Sequence, residues 1–216
     1  MNVSAVLPVL RVERIVFSYP QRHVFNGWST DFNVGLSWIR GRNGSGKSTL
    51  LQLLAGALPL QSGRLSVRDI DAAQRPMEYR REVFWCGPGG IAFDHLRPPE
   101  YFGFLCSMYP RFDADALGEH IAGFGLAPHM DMRLATLSAG TQRKVWLAAA
   151  LVVGTAAVLI DEPLNALDAS STTHLQRVLL RCAADPQRAW VVASHDPLVG
   201  AGDLAACIDL PDPQGI

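Results

Sequence analysis

The chain has 216 residues, 49% of them hydrophobic, and a formal net charge of −1 at pH 7. This is enough apolar material for one large α/β domain, or a core with a small subdomain. The near-zero charge and scattered basic residues argue against a nucleic-acid binder.

Residues 1–7 read as a loose leader. No basic start precedes a long apolar core, so no signal peptide is expected. Val9–Phe17 alternates partly between apolar and charged residues, as a half-exposed strand does, and Pro20 ends it. Val24–Val34 reads as a second strand region, with turns at Asn26-Gly27 and Asn33-Val34-Gly35. Gly35–Arg40 is a short apolar strand. Lys47 opens a helix with leucines at helical spacing, which ends near Gly56. Arg64–Val67 is a short strand, and the polar stretch Arg68–Arg81 is expected to loop over the surface. Val83–Cys86 is an apolar strand that breaks at Gly87-Pro88-Gly89-Gly90.

From Pro98 to about Val153 the pattern is helical. One helix covers Pro99–Met108, a second begins at Asp113, and a third begins at Ser138, whose hydroxyl suits an N-cap. Val158–Ile160 resumes β structure. A helix over Ser170–Ala183, a strand over Ala189–Ala193 and a short strand over Ala205–Leu210 follow. Strands alternating with helices predict a mainly parallel sheet buried on both faces. The longest apolar run, Trp146–Ile160, is too short to span a bilayer and holds Gly154 and Thr155. It reads as a buried helix followed by a buried strand, so the protein is expected to be soluble by itself and to dock on a membrane if it meets one. Cys86, Cys106, Cys182 and Cys207 form no C-x-x-C pair or metal-ligand spacing, and are read as reduced thiols of a cytosolic protein.

Two stretches carry the chemistry. Gly41-Arg42-Asn43-Gly44-Ser45-Gly46-Lys47-Ser48-Thr49 matches G-x-x-x-x-G-K-[ST], placed between a strand and a helix as that motif requires. Its glycines let successive N–H groups turn toward phosphate oxygens, the helix adds its positive dipole end, and Lys47 adds a full charge. The Ser48 hydroxyl is placed to ligate Mg²⁺. Ala157–Pro163 is an apolar strand ending in Asp161 and Glu162. Asp161 at the tip can hold Mg²⁺ opposite Ser48, while Glu162 projects differently and can orient or deprotonate an attacking water.

Further stretches resemble the nucleotide-binding subunit of ATP-binding cassette (ABC) transporters, in that family's order and over nearly the whole chain. Leu137-Ser138-Ala139-Gly140-Thr141-Gln142-Arg143 resembles the signature LSGGQ. Pro163–Asp168 resembles the stretch ending in the D-loop, and Ala193-Ser194-His195-Asp196 resembles the switch-histidine strand end. Tyr19 stands where the family has an aromatic that stacks on adenine.

The resemblance implies a P-loop NTPase with a RecA-like α/β core and a mainly parallel sheet. It implies an antiparallel β subdomain on the N-terminal side and an inserted α-helical subdomain. The core and β subdomain would cover about 8–90 and 155–212, the helical subdomain about 91–154. It implies ATP and Mg²⁺ as ligands, with Tyr19, Gly41, Asn43, Gly44, Ser45, Gly46, Lys47, Ser48 and Thr49 around the nucleotide. Two cassettes would pair head to tail. Ser138 and the Gly140 backbone would reach the γ-phosphate held by the opposite copy, and Asp168 would cross the interface. His195 would hydrogen-bond the γ-phosphate and help hold the water, with Glu162, His195 and Lys47 catalytic. A transmembrane permease on a separate chain is the implied partner. The location is then peripheral, on the cytoplasmic face of the inner membrane, and nucleic acid is not expected.

Two departures stand out. The family usually has a Gln after the strand that here ends at Cys86, touching Mg²⁺ and the water. This chain has Gly87-Pro88-Gly89-Gly90, so water or Asp94 would complete the shell and a slower or differently coupled ATPase is expected. In the signature, Ala139 and Thr141 replace Gly and Gln while Gly140 is kept, and ATP-dependent pairing is expected to survive. Tyr109–Asp113 and Gly123–Leu126 resemble small cassettes of the ABC-2 exporter type, to which the haem-exporter cassette of cytochrome c maturation is near. The rival readings are a soluble cassette that remodels a protein or nucleic-acid partner and, more remotely, a P-loop kinase. His23, His95, His120, His129 and His174 show no ligand spacing and are read as surface or satisfied residues.

Overall fold

The computed structural model describes residues 8–88, 93–195 and 204–210. The expected leader at 1–7, Gly89-Gly90 and Asp196 lie outside them. Two sheets form. One is antiparallel, built from β1 (Leu10–Tyr19), β2 (Arg22–Phe32), β4 (Ser62–Val67) and β5 (Ile70–Asp71) in the order β2-β1-β4-β5. The other is parallel, built from β3 (Gly35–Arg40), β6 (Val83–Cys86), β7 (Ala157–Asp161), β8 (Ala189–Ala193) and β9 (Ala206–Asp209) in the order β6-β7-β8-β3-β9. The helices are α1 (Lys47–Leu54), α2 (Pro76–Glu82), α3 (Pro98–Met108), α4 (Ala114–Gly123), α5 (Ala139–Val152) and α6 (Ala169–Ala183). The helices α3, α4 and α5 lie between the adjacent strands β6 and β7 in sequence. Among the described residues no helix is long and apolar enough to cross a membrane, and all four cysteines are free.

The continuous apolar runs of the central strands follow from burial on both faces. Val158 and Ile160 of β7 and Trp190 and Val192 of β8 face a core shared with α3, α5 and α6. Their neighbours Ala157, Leu159, Val191 and Ala193 face a second core, made with the α1 leucines and the inner face of the antiparallel sheet. α1 is thus held between the two sheets, with Leu50, Leu51, Leu53 and Leu54 fully buried. That packing fixes where the loop before it must sit.

Two expectations are corrected. No turn forms at Asn26-Gly27. β2 continues through it, with Asn26 opposite Val16 and Trp28 opposite Ile15. Gly27 is the extra residue of a β-bulge, at φ +72°, a conformation glycine adopts without strain. The stretch from Arg68 to Arg81 is not merely a loop, since it contains β5 and α2. Polarity hides α2 because its anchor is one residue: Tyr79 is buried and donates its hydroxyl to the Leu54 carbonyl at 2.7 Å. Asp71 shapes the entry by accepting from the Ala73 and Gln74 N–H groups and pairing with Arg64.

His120 on α4 and His174 on α6 are both buried, with His120 Nδ1 3.2 Å from His174 Nε2. Arg177 lies 3.1 Å from His174 Nδ1 and can only donate, so that nitrogen accepts. The proton of His174 is therefore on Nε2 and is donated to His120 Nδ1. Burial, then repulsion from His174 when it is protonated and from Arg181, pushes the His120 pKa down to about 4 against the opposing effects of Glu119 and Asp113. The folded chain then binds fewer protons here than the unfolded one, so stability falls as pH drops from about 6.5 toward 4. Urea unfolding at pH 7 and pH 5 should show His120→Gln, which keeps an acceptor, losing about 1–2 kcal/mol less than the parent on acidification.

Candidate nucleotide site

The site is built where the parallel strands end. Residues 41–46 leave β3 and turn into α1. Gly46 sits at φ +100°, and a Cβ there would lie 2.7 Å from Val24 Cγ1. Only glycine fits, on both backbone and space grounds. The Ser45 N–H bonds the Arg42 carbonyl at 3.0 Å, and the Ser45 hydroxyl is buried with no partner among the described residues. Lys47 is buried; its ammonium donates to the Gly41 carbonyl at 2.7 Å and lies 3.4 Å from that of Arg42. It also lies 3.6 Å from Glu162 Oε1. The loop and the Lys47 charge enclose one side of a cavity of about 370 Å³.

Asn43, Gly44, Gly46, Lys47, Ser48 and Thr49 line that cavity together with Glu162. Tyr19 stands at its rim with its ring exposed, held edge-on by Phe17 and hydrogen-bonded through its hydroxyl to Thr49 Oγ1 at 3.3 Å. A flat exposed ring beside a phosphate-sized cradle can stack on a base. Arg22, which sequence reasoning passed over, also lines the cavity and donates to the Gly44 carbonyl. Its signal was a basic residue just past the Tyr19-Pro20 turn.

Asp161 ends β7 fully buried. Among the described residues neither carboxylate oxygen has a hydrogen bond of ordinary geometry, although the Ser48 hydroxyl is near enough to favour the charged form. Burial outweighs Ser48, Arg143 and Lys47 and pushes the Asp161 pKa up. A buried, unpartnered carboxylate beside a hydroxyl is the oxygen donor set that a hard divalent cation takes. Glu162 follows at φ +46°, with its N–H bonded to the Ala193 carbonyl at 2.7 Å. Its Oε2 accepts from the His195 N–H at 3.2 Å. This bond brings Glu162 and the exposed His195 together across the tips of β7 and β8.

Ser138, Gly140 and Asp168 do not line the cavity. Ser138 caps α5, accepting from the Thr141 N–H at 3.1 Å. A Cβ on Gly140 would lie 2.5 Å from the Ala166 carbonyl, so this turn packs directly on the 163–168 stretch of its own chain. Asp168 caps α6 through the Ser171 N–H at 2.9 Å and pairs with Lys144. Lys144 and then the Ser171 N–H hold its carboxyl well below the usual range. Its side chain is thus engaged within its own chain, and these three residues form a second surface apart from the phosphate loop.

After β6, a Cβ at Gly87 would lie 2.7 Å from Trp85 Cζ2. The Trp85 ring therefore occupies the space that a longer side chain at 87 needs. Gly87→Gln should cost about 1–3 kcal/mol of stability in a urea titration, and less than about 0.5 in a Trp85→Leu background. Asp94 is exposed, and its carbonyl is held by the Ala135 N–H at 2.9 Å.

A phosphate loop between β3 and α1, with a buried carboxylate and a glutamate facing Lys47 at the tip of β7, defines a P-loop nucleotide hydrolase. The chain belongs to the ABC transporter family, whose description matches residues 27–165. It is an ATP-binding cassette with ATPase activity. It is 36% identical to the cytochrome c biogenesis ATP-binding export protein CcmA of Cupriavidus pinatubonensis, over 94% of this chain and 90% of that protein. It is 32% identical to the protein of the same name from Pseudomonas savastanoi pv. phaseolicola, over 80% and 81%. Among solved structures, an ATP-binding subunit of an ABC transporter superposes with a TM-score of 0.84 at 18% identity, covering 96% of this chain and 90% of that one. CbiO1 from Clostridium perfringens, part of the transporter complex cbiONQ, gives 0.68 at 19%, covering 97% and 87%. At such identities these two show the fold.

Proposed function

We propose that this cassette powers an exporter, acting on a transmembrane permease carried by a separate chain at the cytoplasmic face of the inner membrane, and that it works as a head-to-tail pair. The observation that supports pairing most is the split of the site. The Lys47 cradle and Glu162 share one cavity, while Ser138 and Gly140 at the start of α5 lie outside it. A second cassette would bring its own α5 N-terminus, with its positive dipole end, against the γ-phosphate. Export is supported by the export proteins to which the chain is similar over most of its length.

The residues divide the work. Tyr19 stacks on the base. The loop N–H groups and Lys47 hold the β/γ-phosphates, Lys47 exchanging its carbonyl partners for phosphate oxygens. Ser48 and Asp161 would hold Mg²⁺, which when bound supplies charge neutralisation on those phosphates. Glu162, pinned by the His195 N–H, orients the attacking water and takes its proton. His195 contacts the γ-phosphate.

The test is a pull-down. Tagged Glu162→Gln protein is extracted from membranes of its host in mild detergent with MgATP. A stoichiometric polytopic membrane protein is the expected companion. Recovery of soluble chains alone, with ATP still bound, would shift the reading to a soluble remodelling ATPase.

A further inference from the structure

We propose that Arg143 is a positioning residue for the hydrolytic site, tying the start of α5 to the loop after β6 and to the backbone that carries Asp161 and Glu162. The inference rests on the site reading above.

Arg143 is 4% exposed, unusual for a residue type that is seldom buried without a carboxylate partner. Among the described residues its hydrogen-bond partners are a thiol and backbone carbonyls. One guanidinium nitrogen donates to the Gly87 carbonyl and lies 3.5 Å from Cys86 Sγ. The other donates to the Asp161 carbonyl and lies 3.3 Å from that of Glu162. The donors go to these neutral acceptors although the Asp161 charge is near enough to interact with the guanidinium, and an apolar side chain here would leave the carbonyls at 87, 161 and 162 without this donor.

What these carbonyls have in common is their position. Two belong to the consecutive residues whose carboxylates do the chemistry. Glu162 is held at φ +46°, a strained conformation for a residue with a side chain. Such a conformation persists only where its surroundings hold it. The Ala193 carbonyl grips the Glu162 N–H, and Arg143 grips the carbonyls on either side of that φ. The third carbonyl is that of Gly87, which has no side chain with which to reach the site, so its backbone is its only handle. Movement of the 87 loop or of α5 is therefore passed through one rigid, planar fork to Asp161 and Glu162. A fork with five donors spans three carbonyls, whereas a lysine ammonium is a point donor.

The experiment uses the purified 216-residue chain and the variants Arg143→Met and Arg143→Lys. Binding of a fluorescent ATP analogue is titrated with and without Mg²⁺, and ATP turnover is counted per nucleotide-binding site. ATP affinity without Mg²⁺ should stay within about threefold, because the Lys47 loop is untouched. The Mg²⁺ requirement for tight binding and the turnover per site should each worsen by about 10–100-fold in Arg143→Met, the usual loss when a residue orienting metal-site groups is removed. Arg143→Lys should recover part of both. Counting per site separates positioning from folding, since a merely destabilised chain loses sites and keeps its rate at each. Wild-type Mg²⁺ dependence and per-site turnover in both variants would overturn the proposal. Where Arg143→Met does not fold, the same result in Arg143→Lys alone overturns it. Glu162→Gln serves as the control: full turnover in that variant discards the site reading, while a dead Glu162→Gln beside normal Arg143 variants discards only this inference.

Discussion

Glu162→Gln is expected to lower ATP turnover by about 10²–10⁴-fold, the range for loss of a general base, while ATP stays bound. The geometry separates the two effects. Glutamine keeps the size of the side chain and can still accept the His195 N–H that now reaches Oε2 at 3.2 Å, so the strand tips stay joined. It cannot take a proton from water. It also removes the charge that faces the Lys47 ammonium at 3.6 Å, leaving that ammonium freer for phosphate. Affinity for ATP should hold or rise, and the variant should accumulate as the ATP-bound pair. Phosphate release and nucleotide retained through gel filtration measure the two halves. Turnover within twofold of the parent would place the base elsewhere.

How much of this was readable beforehand depends on the range of the interaction. The phosphate loop and the Asp161-Glu162 tip are contiguous stretches whose chemistry is local, and the two-faced burial of β7 and β8 is written in their unbroken apolar runs. α2 was hidden because a polar segment needs only Tyr79, bonded to a carbonyl 25 residues away, to dock. The histidines at 120 and 174 share no local spacing and meet only when α4 crosses α6. Arg143 sits in plain sight within the signature, yet its meaning lies in carbonyls at 87, 161 and 162 that only the folded chain assembles. The missing Gln was visible at once. Its physical companion, the Trp85 ring filling the space over Gly87, was not.

Asp161→Asn is expected to stabilise the nucleotide-free chain while abolishing its response to Mg²⁺. The carboxylate is fully buried, and among the described residues neither oxygen has an ordinary hydrogen bond. Desolvation is the largest influence on its ionisation and works against the charge, with Glu162 adding to it; Ser48, Arg143 and Lys47 offset only part. Replacing a buried charge with an amide of the same shape relieves that cost, and about 1 kcal/mol of relief corresponds to roughly 2–4 °C in a domain of this size. Such a gain is what a position held for function at the expense of stability should show. The amide is a far weaker ligand for a hard cation. MgATP, which should raise the melting temperature of the parent well above that with ATP and chelator, should give the variant no more than ATP and chelator do. Turnover should fall by at least about 10²-fold, as when a major source of transition-state charge stabilisation is removed. A calorimetric scan of the two proteins with Mg²⁺ or chelator reads both effects. A lower apo midpoint would mean that Asp161 is satisfied by the protein alone. An undiminished Mg²⁺ shift would move the cation to other ligands.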